Sequence, residues 1–483
     1  MKLTDLVSGM PFRHVKGDTS VEVTSLTKDS RAVKEGSMFF ATKKNEQYIN
    51  AAVKRGASVI VAETDLAVDI PCLITTDDVS LLLGSMAARF YGSPSKQLHV
   101  AGVTGTNGKT TITYLIESIL KADGRKTGVI GTISYRYGGL EFKAENTTPG
   151  ATESQSLLKD MEESGVRFVV MEVSSHALDQ NRVEGIEFDV GIFTNLTHDH
   201  LDYHGDIDSY KKAKTLLFKR HLEDSPKAVR YAILNMDDPA VKAMTPGDPV
   251  KILYYSLKNQ TDGHLIKVHE DIHGLKLDLS IKGKTISVQS PLIGMFNASN
   301  ILAAALYGYI VGIPLKGIQK GIETLQGVPG RLERVDNDKG ASMFVDYAHT
   351  PDALKKVLEM LSRLKEGRLI LVFGCGGDRD KAKRPVMGEI ASSLADLTII
   401  TSDNPRSEEP LAIINDIKKG LSGNSYKVIE NRKDAIYAGV KAAEPRDVLL
   451  VAGKGHEDYQ IIGDKVFHFS DREVIEESLY VAP

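Results

Sequence analysis

The chain has 483 residues, which is too long for a single hydrophobic core and predicts two to four domains. Hydrophobic residues make up 42% and charged residues 26%, the composition of an ordinary globular protein. A net charge of −4 and a pI near 6.4 provide no global basic field, so we expect no nucleic-acid partner.

The N-terminus and the cysteines indicate the compartment. The first residues, MKLTDLVSGM, include an acid and lack the apolar core of a signal peptide. No stretch approaches the roughly 20 apolar residues that cross a bilayer, so we expect no membrane insertion. Cys72 and Cys375 lie far apart and form no ligand pair, which indicates reduced thiols. These features predict a cytoplasmic protein.

The first 97 residues mix short strands with helical segments. The strand candidates are VEVTSLT (21–27), SMFFAT (37–42), ASVIVAE (57–63) and PCLITT (71–76). A helix candidate, LLLGSMAARFY (81–91), is followed by Gly-Ser-Pro-Ser, which is typical of a linker. We therefore expect an N-terminal domain over residues 1–97.

Strands and helices alternate from residue 98 onward. Residues 98–124 read as an apolar strand, a glycine-rich turn and an amphipathic helix. Further strand candidates are KTGVIGT (126–132), RFVVMEVSS (167–175), DVGIFTNL (189–196) and YAILNM (231–236). This alternation predicts a parallel sheet with helices on both faces and a central domain over 98–330.

A loop rich in glycine and proline, QGVPGRLERVDNDKG (326–340), marks the second boundary. The strand candidates after it are SMFVDYA (342–348), GRLILVFGCGG (367–377), DLTIITSD (396–403), YKVIEN (426–431) and DVLLVAG (447–453). They predict a doubly wound domain over 331–483, with ligands at the carboxyl ends of its strands. The predicted fold class is therefore α/β with three domains.

The glycine-rich turn GVTGTNGKTT (102–111) is the strongest functional signal. Its glycines allow backbone N–H groups to point at a phosphate chain. Lys109 would reach the β- and γ-phosphates, and the hydroxyl of Thr110 would lie at Mg²⁺. Five residues separate Gly102 from Gly108, one more than in the usual motif. The alternative is a glycine-rich turn with an incidental lysine, but the flanking elements favour nucleotide binding.

Two acidic patterns follow strand candidates. Glu172 is either a ligand of a second metal ion or a water-mediated ligand of Mg²⁺ beside the phosphate loop, or it is an ordinary glutamate at a strand end. Residues 198–206, HDHLDYHGD, hold three histidines and three aspartates. They indicate a metal or phosphate site, a zinc hydrolase centre built on His198 and His200, or a solvated loop, and the pattern alone leaves all three open.

Eight segments, in order along nearly the whole chain, resemble those of the Mur ligases. They are GTNGKTT (105–111), MEVSSHALDQNRV (171–183), TNLTHDHLDYHG (194–205), GMFNASN (294–300), DYAHTPDAL (346–354), GCGGDRDKAKRP (374–385), DNPR (403–406) and GKGHE (453–457). Each motif is moderately specific, and eight in one order make coincidence implausible.

The resemblance implies an N-terminal domain for a UDP-linked precursor, a central P-loop domain for ATP and a C-terminal, Rossmann-like domain for an amino acid. The implied partners are ATP, UDP-MurNAc-L-Ala-D-Glu and meso-diaminopimelate, with Mg²⁺ as cofactor, and we expect a monomer. ATP would phosphorylate the D-glutamyl carboxylate, and the amine would displace phosphate from the acyl phosphate. Phosphorylation supplies the leaving group that a carboxylate lacks.

The resemblance also implies residue roles at the nucleotide. The implied ATP-binding residues are Gly105, Thr106, Asn107, Gly108, Lys109, Thr110, Thr111, Asn297, Asn300, Arg331, Asp346 and His349. The implied catalytic residues are Lys109, Glu172, His200 and Lys214, and the implied metal ligands are Thr110, Glu172, His200 and Lys214. Lys214 matches a lysine that CO₂ converts to a carbamate, whereas the segment YKKAK alone indicates a solvated helical lysine.

The other two substrates have implied contacts of their own. Those for the UDP substrate are Ser30, Thr147, Thr148, Ser174, Gln180 and Arg182. Those for the amino acid are Arg379, Asp403, Asn404, Pro405, Arg406, Gly453 and Glu457. The fork of Arg406 suits the distal carboxylate of diaminopimelate, which lysine lacks, and lysine-adding relatives lack this arginine. The alternative for Arg406 is a surface salt bridge.

Four other functions compete with this hypothesis. A lysine-adding ligase or a folylpolyglutamate synthetase would share the phosphate loop and the acyl-phosphate chemistry. A P-loop nucleotide switch would bind nucleotide without forming a bond, and a metal hydrolase would need no ATP.

Overall fold

The computed structural model describes residues 1–66, 68–197 and 199–480, apart from the side chains of residues 201 and 202. The chain divides into two compact units. The first unit comprises Met1–Leu196, Asp208–Tyr255 and Leu306–Ile313, and the second comprises Thr197–Ile207, Ser256–Ala305 and Pro314–Pro483. Among the described helices, none combines the length and the apolar character that a membrane crossing requires. The predicted boundaries near residues 97 and 330 stay a prediction.

The N-terminal part of the first unit is a five-stranded sheet with helices. Its elements are α1 (Leu3–Val7), β1 (His14–Gly17), β2 (Ser25–Thr27), β3 (Ser37–Ala41), α2 (Ile49–Lys54), β4 (Ala57–Ala62), β5 (Cys72–Thr75) and α3 (Val79–Phe90). The strand order is β1-β5-β4-β3-β2, with β1 antiparallel to β5 and the other pairs parallel. Strands β2 to β5 lie within the four predicted segments, whereas the exposed, polar β1 was not predicted.

The central sheet carries the glycine-rich turn. The elements of this part of the chain are β6 (His99–Thr104), α4 (Lys109–Ala122), β7 (Thr127–Ile130), β8 (Ser134–Tyr137), β9 (Leu140–Lys143), α5 (Ala151–Glu163), β10 (Phe168–Glu172), α6 (Ser175–Asp179), β11 (Val190–Phe193), α7 (Leu201–His204), α8 (Ile207–Leu216), β12 (Tyr231–Asn235), α9 (Val241–Met244) and β13 (Lys251–Ser256). Within the first unit the order is β13-β12-β11-β6-β10-β7-β8-β9. Strands β13 to β7 in this order are parallel, as predicted, and β8 and β9 form an antiparallel extension.

The strand order brings the loops that follow β6, β10 and β11 close together. Strands β11, β6 and β10 are neighbours and are buried almost throughout. Because parallel strands end at the same edge of a sheet, the residues that follow β6, β10 and β11 meet there.

The second unit contains the last sheet. The elements from residue 263 onward are β14 (Gly263–Asp271), β15 (Gly274–Ile281), β16 (Lys284–Ser290), α10 (Met295–Ile310), α11 (Leu315–Thr324), β17 (Glu333–Val335), β18 (Ser342–Asp346), α12 (Pro351–Leu364), β19 (Leu369–Phe373), α13 (Lys383–Leu394), β20 (Leu397–Ile400), α14 (Pro410–Lys418), β21 (Tyr426–Val428), α15 (Arg432–Ala442), β22 (Val448–Ala452), β23 (Tyr459–Ile462), β24 (Lys465–His468) and α16 (Asp471–Tyr480). Strands β14 to β16 form an antiparallel meander that was not predicted. The order of the last sheet is β17-β18-β22-β19-β20-β21, parallel except for β17, and its strands β18 to β22 lie in the predicted segments.

Candidate active site

The phosphate loop connects β6 to α4 in a backbone form that requires glycine. Gly105 and Gly108 have φ angles of 146° and 90°. A Cβ atom on Gly105 would lie 1.8 Å from Oγ1 of Thr194. Nζ of Lys109 donates to the carbonyl oxygens of Gly105 and Thr106, both at 2.9 Å. The loop therefore presents an ammonium group at a helix N-terminus, an arrangement that binds phosphate.

Gly102 does not belong to this loop. It lies within β6, where a Cβ atom would come 2.8 Å from the ring of Phe188. This glycine allows close packing inside the sheet, and that explains the five-residue spacing to Gly108.

Asn195, two residues after the end of β11, fixes the shape of the loop. Its carbonyl oxygen accepts from the N–H of Thr106 at 2.8 Å, and its Oδ1 accepts from the N–H of Asn107 at 3.0 Å. Oγ1 of Thr194 donates to the carbonyl oxygen of Asn107 at 2.7 Å. Sequence reasoning gave Asn195 no role, although its place at the end of a strand beside β6 was a usable signal.

Glu172 is a buried carboxylate beside the loop, with 1% of its surface exposed. Its Oε2 accepts from the hydroxyls of Thr110 at 3.1 Å and Thr132 at 2.9 Å, and its Oε1 accepts from the N–H of Thr132 at 2.9 Å. Oγ1 of Thr132 also lies 3.1 Å from Oγ1 of Thr147. A buried carboxylate next to a hydroxyl offers the hard oxygen ligands that Mg²⁺ prefers. Thr110 and Glu172 therefore fit a magnesium site.

Lys214 is buried, so its interpretation as a solvated helical lysine is wrong. Only 1% of it is exposed. Its Nζ donates to the carbonyl oxygen of Gly105 at 2.8 Å and lies 4.4 Å from the ring centre of Tyr210. The hydroxyl of Tyr210 in turn lies 3.1 Å from Oγ1 of Thr106. A π-helical segment, Leu217–Leu222, follows α8, and such segments are frequent at functional sites.

His200 belongs to the second unit. Its φ angle is 54°, its backbone N–H donates to Oδ1 of Asp199 at 2.8 Å, and its side chain is 44% exposed. His198 lies outside the described residues. Within the described ranges, no group of three or more His, Cys, Asp and Glu side chains is arranged to hold a metal ion. The metal role of His200 stays a prediction.

Hydrogen bonds connect several residues predicted for the UDP substrate. Oγ1 of Thr148 donates to the carbonyl oxygen of Glu172 at 2.8 Å and accepts from the N–H of Ser174 at 3.0 Å. Arg182 donates through Nη1 to the carbonyl oxygen of Thr148 and through Nε to Oε1 of Gln180, both at 3.0 Å. These four predicted residues therefore form one hydrogen-bonded polar cluster beside the end of β10.

Two lysines that were not predicted carry their charge near Arg182 of this cluster. Burial lowers the pKa of Lys28, and the nearby charges of Arg182 and Lys44 lower it further. Positive charges that act on one another in this way favour a nearby anion such as a diphosphate. Ser30, which was predicted, begins a 3₁₀ turn two residues after Lys28. A lysine in a polar loop has no distinguishing pattern, so sequence reasoning left both lysines unassigned.

The end of β18 gathers three of the predicted nucleotide residues. Asp346 is buried and accepts from the N–H of Leu332 at 2.7 Å, and burial raises its pKa. The guanidinium of Arg331 lies 4.7 Å from the ring centre of Tyr347, which lies 4.5 Å from the ring of His349. Burial lowers the pKa of His349 and favours the neutral ring.

Asn297 and Asn300 form a separate pair at the start of α10. Nδ2 of Asn300 donates to Oδ1 of Asn297 at 3.0 Å, and Nδ2 of Asn297 donates to the carbonyl oxygen of Ile293 at 2.7 Å. Both lie in the second unit, and their role at a nucleotide stays a prediction.

The residues predicted for the amino acid lie on three loops, which follow β19, β20 and β22. Arg406, at a φ angle of 53°, donates through Nη1 to the carbonyl oxygen of Gly377 at 2.7 Å. A Cβ atom on Gly376 would lie 3.0 Å from Nη1 of Arg406 and 3.9 Å from Cγ of Arg379. Arg379 and Arg406 therefore lie on either side of Gly376, which has no side chain to fill the space between them.

The same loops contribute an acidic side. Nδ2 of Asn404 donates to Oε2 of Glu457 at 2.9 Å, and burial raises the pKa of Glu457. Gly453 has a φ angle of 116°, and a Cβ atom there would lie 2.8 Å from Oδ2 of Asp403. Pro405 is buried in the DNPR turn. The structure thus brings all seven predicted amino-acid residues to one edge of the last sheet.

Comparisons with known proteins show which family the chain belongs to. Two family models match: "Mur ligase middle domain" over residues 103–308 and "Mur ligase, glutamate ligase domain" over residues 330–455. The UDP-N-acetylmuramoyl-L-alanyl-D-glutamate--2,6-diaminopimelate ligase of Geobacter metallireducens is 43% identical over 98% of each chain. The ligase of the same name from Bacillus cereus is 43% identical over 99% of this chain and 98% of its own.

A solved structure gives the same result. A UDP-N-acetylmuramoyl-L-alanyl-D-glutamate--2,6-diaminopimelate ligase shares 33% sequence identity and a TM-score of 0.72, over 99% of this chain and 98% of that one. The predicted α/β fold with three domains is thereby confirmed. The phosphate loop, the buried Glu172 beside it and the full-length relatives lead to one conclusion. This chain belongs to the Mur ligase family of ATP-dependent, amide-bond-forming ligases.

Proposed function

We propose that the protein joins meso-diaminopimelate to the D-glutamyl carboxylate of UDP-N-acetylmuramoyl-L-alanyl-D-glutamate, in the synthesis of peptidoglycan precursors. The full-length relatives whose names state this reaction support the proposal. The observation that carries it is the pair of arginines, Arg379 and Arg406, beside Gly376. An arginine fork binds a carboxylate through two parallel hydrogen bonds, and the distal carboxylate is what distinguishes diaminopimelate from lysine.

The opposite charge on the amino acid has its own partner. Glu457 lies on the loop after β22 and is held by Asn404 of the DNPR turn. Its carboxylate would accept from the distal ammonium of the amino acid. Cationic and anionic groups on adjoining loops thus match a zwitterionic head group.

The reaction begins with transfer of the γ-phosphoryl group of ATP to the D-glutamyl carboxylate. Lys109 would hold the transferring group and offset the charge that develops on it. The amine of diaminopimelate then attacks the acyl phosphate, and phosphate leaves from the tetrahedral intermediate. Thr148, Ser174, Gln180 and Arg182 would hold the UDP substrate, with Lys28 and Lys44 near its diphosphate.

Thr110 and Glu172 would hold Mg²⁺, which neutralises charge on the phosphates when it is bound.

We infer that Lys214 reacts with CO₂ to give a carbamate. Lys214 is buried beside the phosphate loop, where burying an unused charge is costly and where a carbamate anion would be paired with Mg²⁺ when the metal is bound. We also infer that the protein is cytoplasmic and monomeric. Light scattering of the purified protein would test the monomeric state.

The deciding experiment measures ADP release with the UDP-muramoyl dipeptide, alone and with each candidate amino acid. We expect release with meso-diaminopimelate and little with lysine. Preference for lysine would make the protein a lysine-adding ligase, and preference for glutamate with a folate acceptor would indicate a folylpolyglutamate synthetase. Nucleotide binding without amino-acid-dependent ADP release would indicate a nucleotide switch.

A further inference from the structure

Lys454 is a fully buried lysine that sequence reasoning did not select. It lies in the GKGHE motif after β22, and none of its surface is exposed. Its Nζ lies 3.2 Å from Oδ1 of Asn404 and 3.4 Å from Oε2 of Glu457, and it also donates to the carbonyl oxygen of Tyr459. An ammonium group costs free energy when it leaves water, so a buried lysine is retained where its charge is used.

Lys454 determines how Asn404 is oriented. The Oδ1 atom of Asn404 accepts from Lys454 and from the N–H of Ile461 at 3.0 Å. With its oxygen engaged by two donors, the amide must point its Nδ2 atom at Glu457. A single ammonium group thus sets two of the side chains predicted to contact the amino acid.

We propose that Lys454 is a positioning residue, which keeps the Glu457 carboxylate ionised and aimed at the ammonium group of the incoming amino acid. This inference rests on the proposed function, because it takes the loops after β20 and β22 as the amino-acid site. Lys454 acts through Glu457 and Asn404.

The surroundings of Glu457 make such a counter-charge necessary. Burial raises the pKa of Glu457 and the charge of Asp403 raises it further, while Lys454 opposes both effects. The other titratable and charged groups around it are Tyr347, Tyr459 and Arg432, with His456 and Asp458 as its chain neighbours. Arg432 is held by Asp471 through two hydrogen bonds of 2.7 Å. Within the described part of the chain, Lys454 is therefore the cation that forms an ion pair with Glu457, at 3.4 Å.

The test is the pH dependence of amino-acid binding in Lys454→Met. Without the ammonium group, Glu457 takes up a proton more readily, and a protonated carboxyl is a poor partner for an ammonium group. At about pH 7 we expect the KM for meso-diaminopimelate to rise by about 10- to 100-fold, with the KM for ATP nearly unchanged. The ratio of variant KM to wild-type KM should fall as pH rises, because the carboxyl then ionises again.

Three further variants separate this role from a merely structural one. Glu457→Gln should raise the KM for meso-diaminopimelate by a factor that does not change with pH. In the double variant Glu457→Gln/Lys454→Met, the KM should likewise show no added pH dependence. Lys433→Met removes an exposed lysine that is paired with Glu477 on the neighbouring helix, and it should behave as wild type. A KM ratio that stays constant with pH, or additive effects of the two substitutions, would overturn the proposal.

A calorimetric measurement covers the case in which Lys454→Met does not fold. Titration of the wild type with meso-diaminopimelate in buffers of different ionisation enthalpy reports proton release on binding. An ionised Glu457 has no proton to release, so we expect equal release in wild type and Glu457→Gln. Extra release in the wild type would contradict the proposal. If the wild type uses lysine instead, the proposed function fails, and the same variants are tested with lysine, which shares the distal ammonium.

Discussion

Lys109 is the single side chain with the largest expected effect on phosphoryl transfer. Lys109→Ala removes a charge-assisted contact to the transferring group, which costs on the order of 3 kcal/mol or more. Amino-acid-dependent ADP formation should fall by at least about 100-fold. Lys121→Ala, at the exposed end of the same helix, is the matched control and should remain active. Near-normal turnover of folded Lys109→Ala would refute the ATP site.

Lys214 tests the carbamate. Lys214→Ala should be nearly inactive, and short-chain carboxylates should partly restore it, because they supply the missing anion beside the phosphate loop. The exposed Lys212 provides the control, since Lys212→Ala changes a lysine on the same helix away from Gly105. Mass spectrometry under bicarbonate should detect the added carbamate. A free amine together with an active Lys214→Ala would contradict the inference.

Arg406 tests the choice of amino acid. If its guanidinium binds the distal carboxylate, truncation leaves that carboxylate desolvated, which typically costs roughly 2–5 kcal/mol. In Arg406→Ala, kcat/KM for meso-diaminopimelate should fall roughly 30- to several-thousand-fold, and the preference over lysine should shrink. Steady-state kinetics with both amino acids measures this.

The control for Arg406 is another arginine with a positive φ angle. Arg446 has a φ angle of 74° and a side chain that is 78% exposed, so Arg446→Ala makes the same backbone change on the surface. It should leave selectivity unchanged. If Arg406→Ala kept the wild-type ratio of kcat/KM for meso-diaminopimelate over kcat/KM for lysine, the proposal that diaminopimelate is the substrate would fail.

At the scale of elements, the turn between β6 and α4 depends on the absence of a side chain. Gly105→Ala would place Cβ 1.8 Å from Oγ1 of Thr194 at a φ angle of 146°. The loop must shift, at a cost of about 1–3 kcal/mol, and ATP should bind correspondingly more weakly by calorimetry. Gly150→Ala is the control, since that glycine has open space around its Cβ position and a φ angle of −62°. Equal ATP affinity of both variants would show that the loop tolerates a side chain.

The parallel strands were predictable because burial on both faces produces continuous apolar runs, as in LILVF of β19. Strand β1 and the meander of β14 to β16 were not, because their exposed faces mix polar and apolar residues. Their pairing depends on partners elsewhere in the chain, which local pattern does not reveal.

At the scale of the whole molecule, buried histidines predict sensitivity to acid. Burial lowers the pKa of His221 from its ordinary 6.5 to about 3, and among the described residues its Nε2 atom has no hydrogen-bond partner. The unfolded chain therefore binds this proton more readily than the folded one. The neutral ring's contribution is complete above about pH 6.5 and is lost as pH falls, at about 1.4 kcal/mol per pH unit until about pH 3.

Replacement by an apolar residue tests this. His221→Leu should flatten the dependence of the unfolding midpoint on pH below about 6.5. His269→Leu changes a histidine whose side chain is 66% exposed and should leave the dependence as in wild type. Identical pH profiles for wild type and His221→Leu would show that His221 does not control acid stability.

Sequence alone determined the fold class and the loops that carry chemistry. The apolar runs, the glycine-rich turn and the eight ordered motifs all lie in local stretches, where periodicity and spacing report burial and backbone form. The order of motifs also pointed to the family, which the full-length relatives confirm.

Only the tertiary structure decided which polar side chains are buried together. Lys214 and Lys454 read as ordinary lysines, yet one contacts Gly105, more than a hundred positions away, and the other contacts Asn404. Likewise, Thr110 meets Glu172 only because β6 and β10 are neighbours. The burial of a charge depends on partners that the fold brings from distant segments, and no local pattern records that choice.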